Sequence, residues 1–477
     1  MALSLDLVVI VAFFIGMLGI GVYAARKIKD NTDFAIAGRS IKLPLLVGTL
    51  VGTAIGASST MGSAGLAYEH GIITIIIIGY TIGLALFGYV GPIVRRVGVW
   101  NMPDVLFMRY GGAMRMLFGI IMVLGVIAVF GTQLIAVGLV VTAILGDMGI
   151  GYTEAVIGAG IVMIIYTILG GLLAVAYTDF IQTLIMFVAI GIIMPVLVLS
   201  ETGISTVWSY LAPEPGNLLG GLTPMYVVAI FMVDILFCMI DPSLWQRAAA
   251  AKDAKSIKTG MFVTAGLNFY WGCIVVFLGI MAANFFPGLA DSPSGVDGAM
   301  PRLIIEYMPI GIKGLCLAAM MAIMMSTADT CLLVAGTTFS HDIVSPLRPQ
   351  LDGKKLLLIS RVFILIIGVL GVVFALVMTG IFEMILLAFA IFVAGGFAPI
   401  MAAVFWKGAT KAGAIVSSVV GTIAVVGLYG LKLSDMLSDW IDPIVVSVFL
   451  SVGLMFLVSK LTYNPETATQ RLLDLQN

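Results

Sequence analysis

Charge is scarce in this chain. Lys, Arg, Asp and Glu together make up 10% of its 477 residues, against about 25% in soluble domains, which excludes an ordinary water-soluble fold. Histidine is scarcer still. His70 and His341 are the two present, at opposite loop ends, so the many Ser and Thr have no histidine partner to make them nucleophiles. No nucleophile elbow, P-loop or His-based metal cluster occurs, and an enzyme is not expected. The four cysteines (Cys238, Cys273, Cys316 and Cys331) lie inside apolar runs and read as small core residues, not a disulfide frame or metal site. No basic cluster accompanies the net charge of −1, so nothing suggests a nucleic acid, and no obligate protein partner is evident.

What is abundant is hydrocarbon. Hydrophobic residues reach 61%, in recurring runs of about 20, the length that crosses a bilayer as a helix. A transmembrane barrel is excluded, because its segments are short and alternate. Roughly thirteen spans are expected, near 5–25, 43–68, 71–94, 114–146, 153–174, 178–200, 223–245, 259–284, 312–340, 355–379, 382–406, 412–431 and 440–460. The first run lacks a basic flank before it and has Arg26, Lys27 and Lys29 behind it, as a retained helix does and a signal peptide does not. With the N-terminus outside, all but Arg302, Lys313 and Lys432 of the 24 Lys and Arg fall on the cytoplasmic side, as the positive-inside rule requires. The C-terminus is then cytoplasmic. The longest loops, near 201–222 and 285–308, are outside, rich in Gly and Pro, and placed to cover an outer vestibule as lids.

Two acids stand alone in apolar surroundings: Asp179 and Asp329. A carboxylate at membrane depth costs about 2.5–3.5 kcal/mol on insertion scales, so such residues face a water-filled path or a cation. Two spans also look interrupted. The second crowds Gly52, Thr53, Gly56, Ser58, Ser59, Thr60 and Gly62 at mid-span, and the seventh runs through Asp234 to Asp241-Pro242-Ser243. Such residues break the helical ladder and free carbonyls and amides. Matched broken helices in two halves mark a transporter's binding site, and five spans from one break to the next make two sets of opposite topology. Small-residue helix packing is the plainer alternative.

Six stretches in this order carry a family resemblance: Ala37-Gly38-Arg39-Ser40; Gly62-Ser63-Ala64-Gly65 with Tyr68-Glu69; Tyr166 and Gly170-Gly171 through to Asp179; Gln246-Arg247 with Lys252; Met325-Ser326-Thr327-Ala328-Asp329; and Phe405-Trp406-Lys407 with Lys411 and Gly413. They span almost the whole chain, which resembles the sodium:solute symporter family of sodium-coupled sugar, proline, pantothenate and sialic acid carriers. The resemblance implies an all-α integral membrane protein with a five-plus-five inverted-repeat core whose first and sixth helices are broken. The parts would be residues 1–42 (an extra helix and cytoplasmic loop), 43–200 and 223–407 (the repeats, joined by the external loop 201–222), 408–461 (two C-terminal helices) and 462–477 (a short cytoplasmic tail). It places the main Na+ site on the carbonyls of Gly52, Ile55 and Ile323 and the hydroxyls of Ser326 and Thr327. The chemistry agrees, because a small hard cation takes oxygen ligands. Back-bonding of Ser326 and Thr327 to their own helix is the alternative from the residues alone. Some members have a second sodium site, which here would be lined by Asp179, Ser326, Asp329 and Thr330. Asp329 departs from the serine known there, and a shared proton between two acids is the alternative.

The solute site is less explicit. Amides freed near Ser58 and Ser59 would attract an anion. By the resemblance, Asp241 aligns with a substrate-contacting asparagine of sugar carriers, and Asp234 shares its helical stripe. Gln133 and Asn268 are further polar residues at mid-helix, with Tyr80 and Phe237 as candidate gates. The apolar eleventh span, Leu386 to Gly396, offers little to a hexose, and unpaired hydroxyls are costly. The expectation is therefore a symporter of the plasma membrane that imports a small organic solute with Na+, leaning to an amine- or carboxylate-bearing one such as an amino acid. In this reading Asp241 holds the ammonium, or else pairs with Arg247 or Lys252 as a gate. The rivals are a proton-coupled carrier and a non-transporting sensor of the same fold.

Overall fold

A computed structural model describes residues 5–464, apart from 27, 29–30, 147–148, 204–218, 379, 435 and 439. Among these the chain is helical without a strand. Eleven helical stretches are long and apolar enough to cross a bilayer. Two are long enough to cross twice at about 20 residues a crossing: Ser58–Val97 with 40 and Tyr152–Thr202 with 51. Each is divided where a glycine takes a left-handed backbone, at Gly71 (φ 69°) and Gly171 (φ 54°, ψ −171°). Eleven stretches thus stand where thirteen spans were expected, because helical bonding runs on almost unbroken through both bends. A side chain at Gly171 would also meet the backbone and ring of Phe34 at 2.7–3.0 Å.

Nine helices position the polar interior of the bundle. The first seven are α1 (Leu5–Ala25), α2 (Leu43–Ala54), α3 (Ile78–Val97), α4 (Gly112–Leu145), α5 (Tyr152–Met186), α6 (Pro224–Met239) and α7 (Pro242–Ala250). The other two are α8 (Ala254–Phe285) and α9 (Ile312–Thr338). Helix α9 is the centre of the bundle: every residue from Cys316 to Thr338 is buried. Its small and apolar residues let α1, α2, α4 and α5 pack round it. Outer helices present Leu, Ile, Val and Phe outward instead, as expected of lipid-facing surfaces.

Both expected interruptions are present. Helix α2 ends at Ile55 (φ −105°, ψ 105°), and helix resumes with the π-turn Ser58–Gly62. Helix α6 ends at Ile240 (φ −125°), and α7 begins with Asp241 as its N-cap. Pro242 opens α7, where a missing amide costs nothing. The N-terminal ends of α1 and α9 are joined through Asp6, whose Oδ1 accepts from the amides of Gly311 (2.7 Å) and Gly314 (2.8 Å). Most of the 201–222 loop lies outside the described residues, as does the tail from residue 465. The other long loop, near 285–308, packs down: Asp297 accepts from the amide of Ile381 at 3.1 Å.

Candidate functional site

The break in α2 lies directly against the central helix. Ser326 Oγ donates to Gly52 O at 2.7 Å and stands 2.9 Å from Ile323 O, while Thr327 Oγ1 lies 3.5 Å from Ile55 O. The five groups named from sequence for a cation therefore come together. Two carbonyls come from the end of α2, and one carbonyl and two hydroxyls from α9. Their closeness depends on Gly56, where a Cβ would sit 2.9 Å from Thr327 Oγ1 and 3.2 Å from Gln133 Oε1. The donor set is all oxygen and carries no formal charge, which suits a monovalent hard cation.

Asp179 is not isolated. Its Oδ2 accepts from Thr49 Oγ1 at 2.6 Å and from Arg247 Nη2 at 3.2 Å, with both charged side chains fully buried. The guanidinium also donates to Thr330 Oγ1 (2.7 Å), Thr49 O (3.1 Å), Thr49 Oγ1 (2.9 Å) and Ser243 O (3.3 Å). Thus α7, just past the second break, is tied to α2, α5 and α9 by one side chain. Asp179 and Thr330 meet round Arg247. Asp329 instead points to Thr167 of α5, whose hydroxyl it accepts at 3.0 Å. Sequence reasoning missed Arg247 as the partner of Asp179. The signal was there, as Arg247 is a base beside an intramembrane break, but a pair 68 residues apart has no local signature.

Beside the cation-like cluster lies a cavity of about 120 Å³. Ser58, Ser59, Gln133, Asp241 and Asn268 all line it, as do Tyr80 and Phe237. Some of their polar groups already have partners. The amide of Ala57 donates to Gln133 Oε1 (2.9 Å) and that of Gly56 to Ser59 Oγ (2.9 Å), so two amides freed by the break are satisfied by side chains. Asn268 Nδ2 donates to Thr81 Oγ1 at 2.8 Å. Asp241 Oδ1 accepts from the amide of Ser243 at 2.8 Å and from its hydroxyl, and Oδ2 accepts from Tyr80 at 2.8 Å. Arg247 pairs with Asp179 rather than with Asp241. Phe237 stacks on Phe389 with ring centroids 3.6 Å apart. Cys331, on the turn of α9 after Thr330, also reaches the wall, together with Thr327 and Thr330 of the neighbouring clusters.

At the other end of α9, a second polar cluster lies beyond the cavity. His341 Nε2 is 3.2 Å from Asp104 Oδ1 and its ring stacks on Trp100 at 4.5 Å. Arg115 Nη2 bridges Asp104 (3.1 Å) and Asp342 (2.9 Å). Asp104 lies outside the apolar spans. Burial pushes its pKa up, but the hydrogen bond from His341, the Trp100 amide and the Arg115 charge together bring it below the usual carboxylate range.

A helical bundle with two helix breaks, an oxygen cluster between one break and the central helix, and a cavity beside it has the architecture of a multi-pass membrane transporter. The chain belongs to the sodium:solute symporter family, whose sequence pattern matches residues 34–421. It is 27% identical over 465 residues to sodium/myo-inositol cotransporter 2 of Bos taurus, covering 88% of this chain and 68% of that one. It spans 60% of the corresponding Sus scrofa protein. The high-affinity proline transporter PutP of Bacillus subtilis (strain 168) is 28% identical over 486 residues, 97% of this chain and 99% of its own. The fold is shared with a substrate-bound, outward-open Na+-coupled sialic acid symporter, with a TM-score of 0.79, 20% identity and 98% of each chain covered. The family and these neighbours are transporters, not enzymes.

Proposed function

We propose that this protein imports a small organic solute together with Na+ by alternating access across the plasma membrane. The observation that carries the reading is the bridge from Ser326 and Thr327 to the carbonyls of Gly52, Ile55 and Ile323. Sodium bound there would fasten the broken helix α2 to α9 and complete one wall of the cavity. Its loss to a low-sodium cytoplasm would release that wall and free the solute. The membership of the family supports sodium as the coupling ion.

The finer assignments belong to the same proposal. Residues 43–200 and 223–407 form the inverted repeats, preceded by α1, with the N-terminus outside and the C-terminus inside, over thirteen crossings. Residues 1–42, 201–222, 408–461 and 462–477 are the leading segment, the external joining loop, the added C-terminal helices and the cytoplasmic tail. Ser58, Ser59, Gln133, Asp241 and Asn268 face the solute, with Tyr80 and Phe237 as its gates. A second cation at Asp179, Asp329 and Thr330 would have to displace Arg247 from Asp179, since the guanidinium already supplies that carboxylate with a positive charge. The solute bears an amine or a carboxylate, as an amino acid does. The near-complete overlap with a protein named as a proline transporter supports this reading.

The test is thermal unfolding of the purified protein in NaCl and in KCl, followed by sodium-driven uptake in proteoliposomes. Sodium should stabilise the fold by mass action, and replacing Ser326 and Thr327 with Ala should remove that stabilisation and the uptake. Uptake that continues without sodium but collapses with the pH gradient would overturn the proposal in favour of a proton-coupled carrier. No uptake of any solute would favour a sensor.

A further inference from the structure

We propose that the solute is anchored in the cavity by its ammonium, and that Asp234 is a second anchor beside Asp241. The inference rests on the cavity being the solute site and goes on to say which charge that site accepts. Two carboxylates, Asp234 and Asp241, line the cavity, and no Lys, Arg or His is among the described residues that do. Arg247, the base nearest in sequence, directs its donors to Asp179, Thr49, Thr330 and Ser243 O. The ion pair it makes with Asp179 cancels its charge.

The geometry at Asp241 is that of an acceptor. Both oxygens receive hydrogen bonds, from the Ser243 amide and hydroxyl and from Tyr80, the pattern an ionised carboxylate takes. Asp234 lies seven residues earlier, within α6 and before the break at Ile240, and lines the same cavity. It accepts no hydrogen bond from any described side chain or amide, and it faces α3 at Gly79, where a Cβ would lie 3.1 Å from its own. A carboxylate at this depth without a partner is costly unless a cation or water reaches it.

The distribution of side chains points the same way. The oxygen cluster at Ser326 contributes no formal charge, and Arg247 is paired with Asp179, so the cavity wall offers acids and no base to a charged solute. The rest of the wall suits the body of such a solute, since Phe389, Phe392 and Trp271 offer apolar surface and ring faces that attract a cation.

The experiment uses the full-length protein, in NaCl and in KCl, with butylamine, 1,4-diaminobutane, butyrate, proline and myo-inositol as probes. Thermal shift gives binding and proteoliposomes give uptake. The amines should stabilise the protein in NaCl and be taken up, and butyrate should do neither. Asp234→Asn should weaken amine binding about tenfold or more, the loss of one charged hydrogen-bonded contact, with the shift caused by sodium alone unchanged. Asp234→Glu should recover part of it. Butyrate or myo-inositol binding as well as the amines would overturn the inference; proline, which carries an ammonium, is expected to bind. So would an Asp234→Asn protein with unaltered amine affinity, or no amine binding alongside an intact sodium shift. Loss of the sodium shift in the unaltered protein would instead count against the cation site on which the functional reading stands.

Discussion

Arg247 is fully buried and donates to Asp179, Thr49, Thr330 and Ser243, and the energetics of such a group are asymmetric. Removing one partner of a buried ion pair strands the other and costs about 3–5 kcal/mol, whereas replacing both is often near neutral. Arg247→Met should therefore lower thermal stability sharply, and so should Asp179→Leu. The double variant should recover much of the loss, and a thermal-unfolding cycle of the four proteins reads this directly. At the cation cluster the effect falls on binding. Gly56→Ala drives a methyl to within 2.9 Å of Thr327 Oγ1, so sodium should stabilise this variant less than the parent at equal concentration. Asp104 carries a pH effect. Its pKa is depressed in the folded protein, so its contribution is complete above the unfolded value and is lost as pH falls below about 4. Unfolding followed from neutral to acid pH should show stability dropping in that window, and Asp104→Asn should be less stable at neutrality with a flatter acid limb.

The bends and breaks are where sequence spoke most clearly and where it also stopped. The break after Gly52 and the one at Asp241-Pro242 were legible because Gly, Ser, Thr and Pro act on the local backbone. Ser326 and Thr327 were legible only through a pattern of several distant motifs, since hydroxyls inside a helix usually bond backward to it. The pairing of Arg247 with Asp179 and the turning of Asp329 to Thr167 are set by which helix faces meet, and no spacing along the chain encodes that. Gly171 belongs to this scale too. It has a left-handed backbone and no room beside Phe34, so Gly171→Ala should reduce the yield of folded protein in detergent, as size-exclusion chromatography would show, far more than Gly158→Ala, where nothing lies within 4 Å.

For the whole molecule, energy enters through the ion. One sodium crossing 100 mV provides about 2.3 kcal/mol and a tenfold concentration ratio about 1.4 kcal/mol. Together they support accumulation of a neutral solute by several hundredfold, and a second sodium would square that ratio. Steady-state accumulation in proteoliposomes at fixed gradients therefore counts the ions. A cationic solute adds its own charge to the voltage term, so imposed potential should drive its uptake more steeply than that of a neutral one. The central helix also carries a chemical tag in the right place. Cys331 sits in the cavity wall beside Thr330, while the remaining three cysteines are absent from that wall. A small thiol-alkylating reagent added to a chain retaining Cys331 alone would read out, by its labelling rate, whether the chamber is filled or vacant, without any foreign group having been introduced.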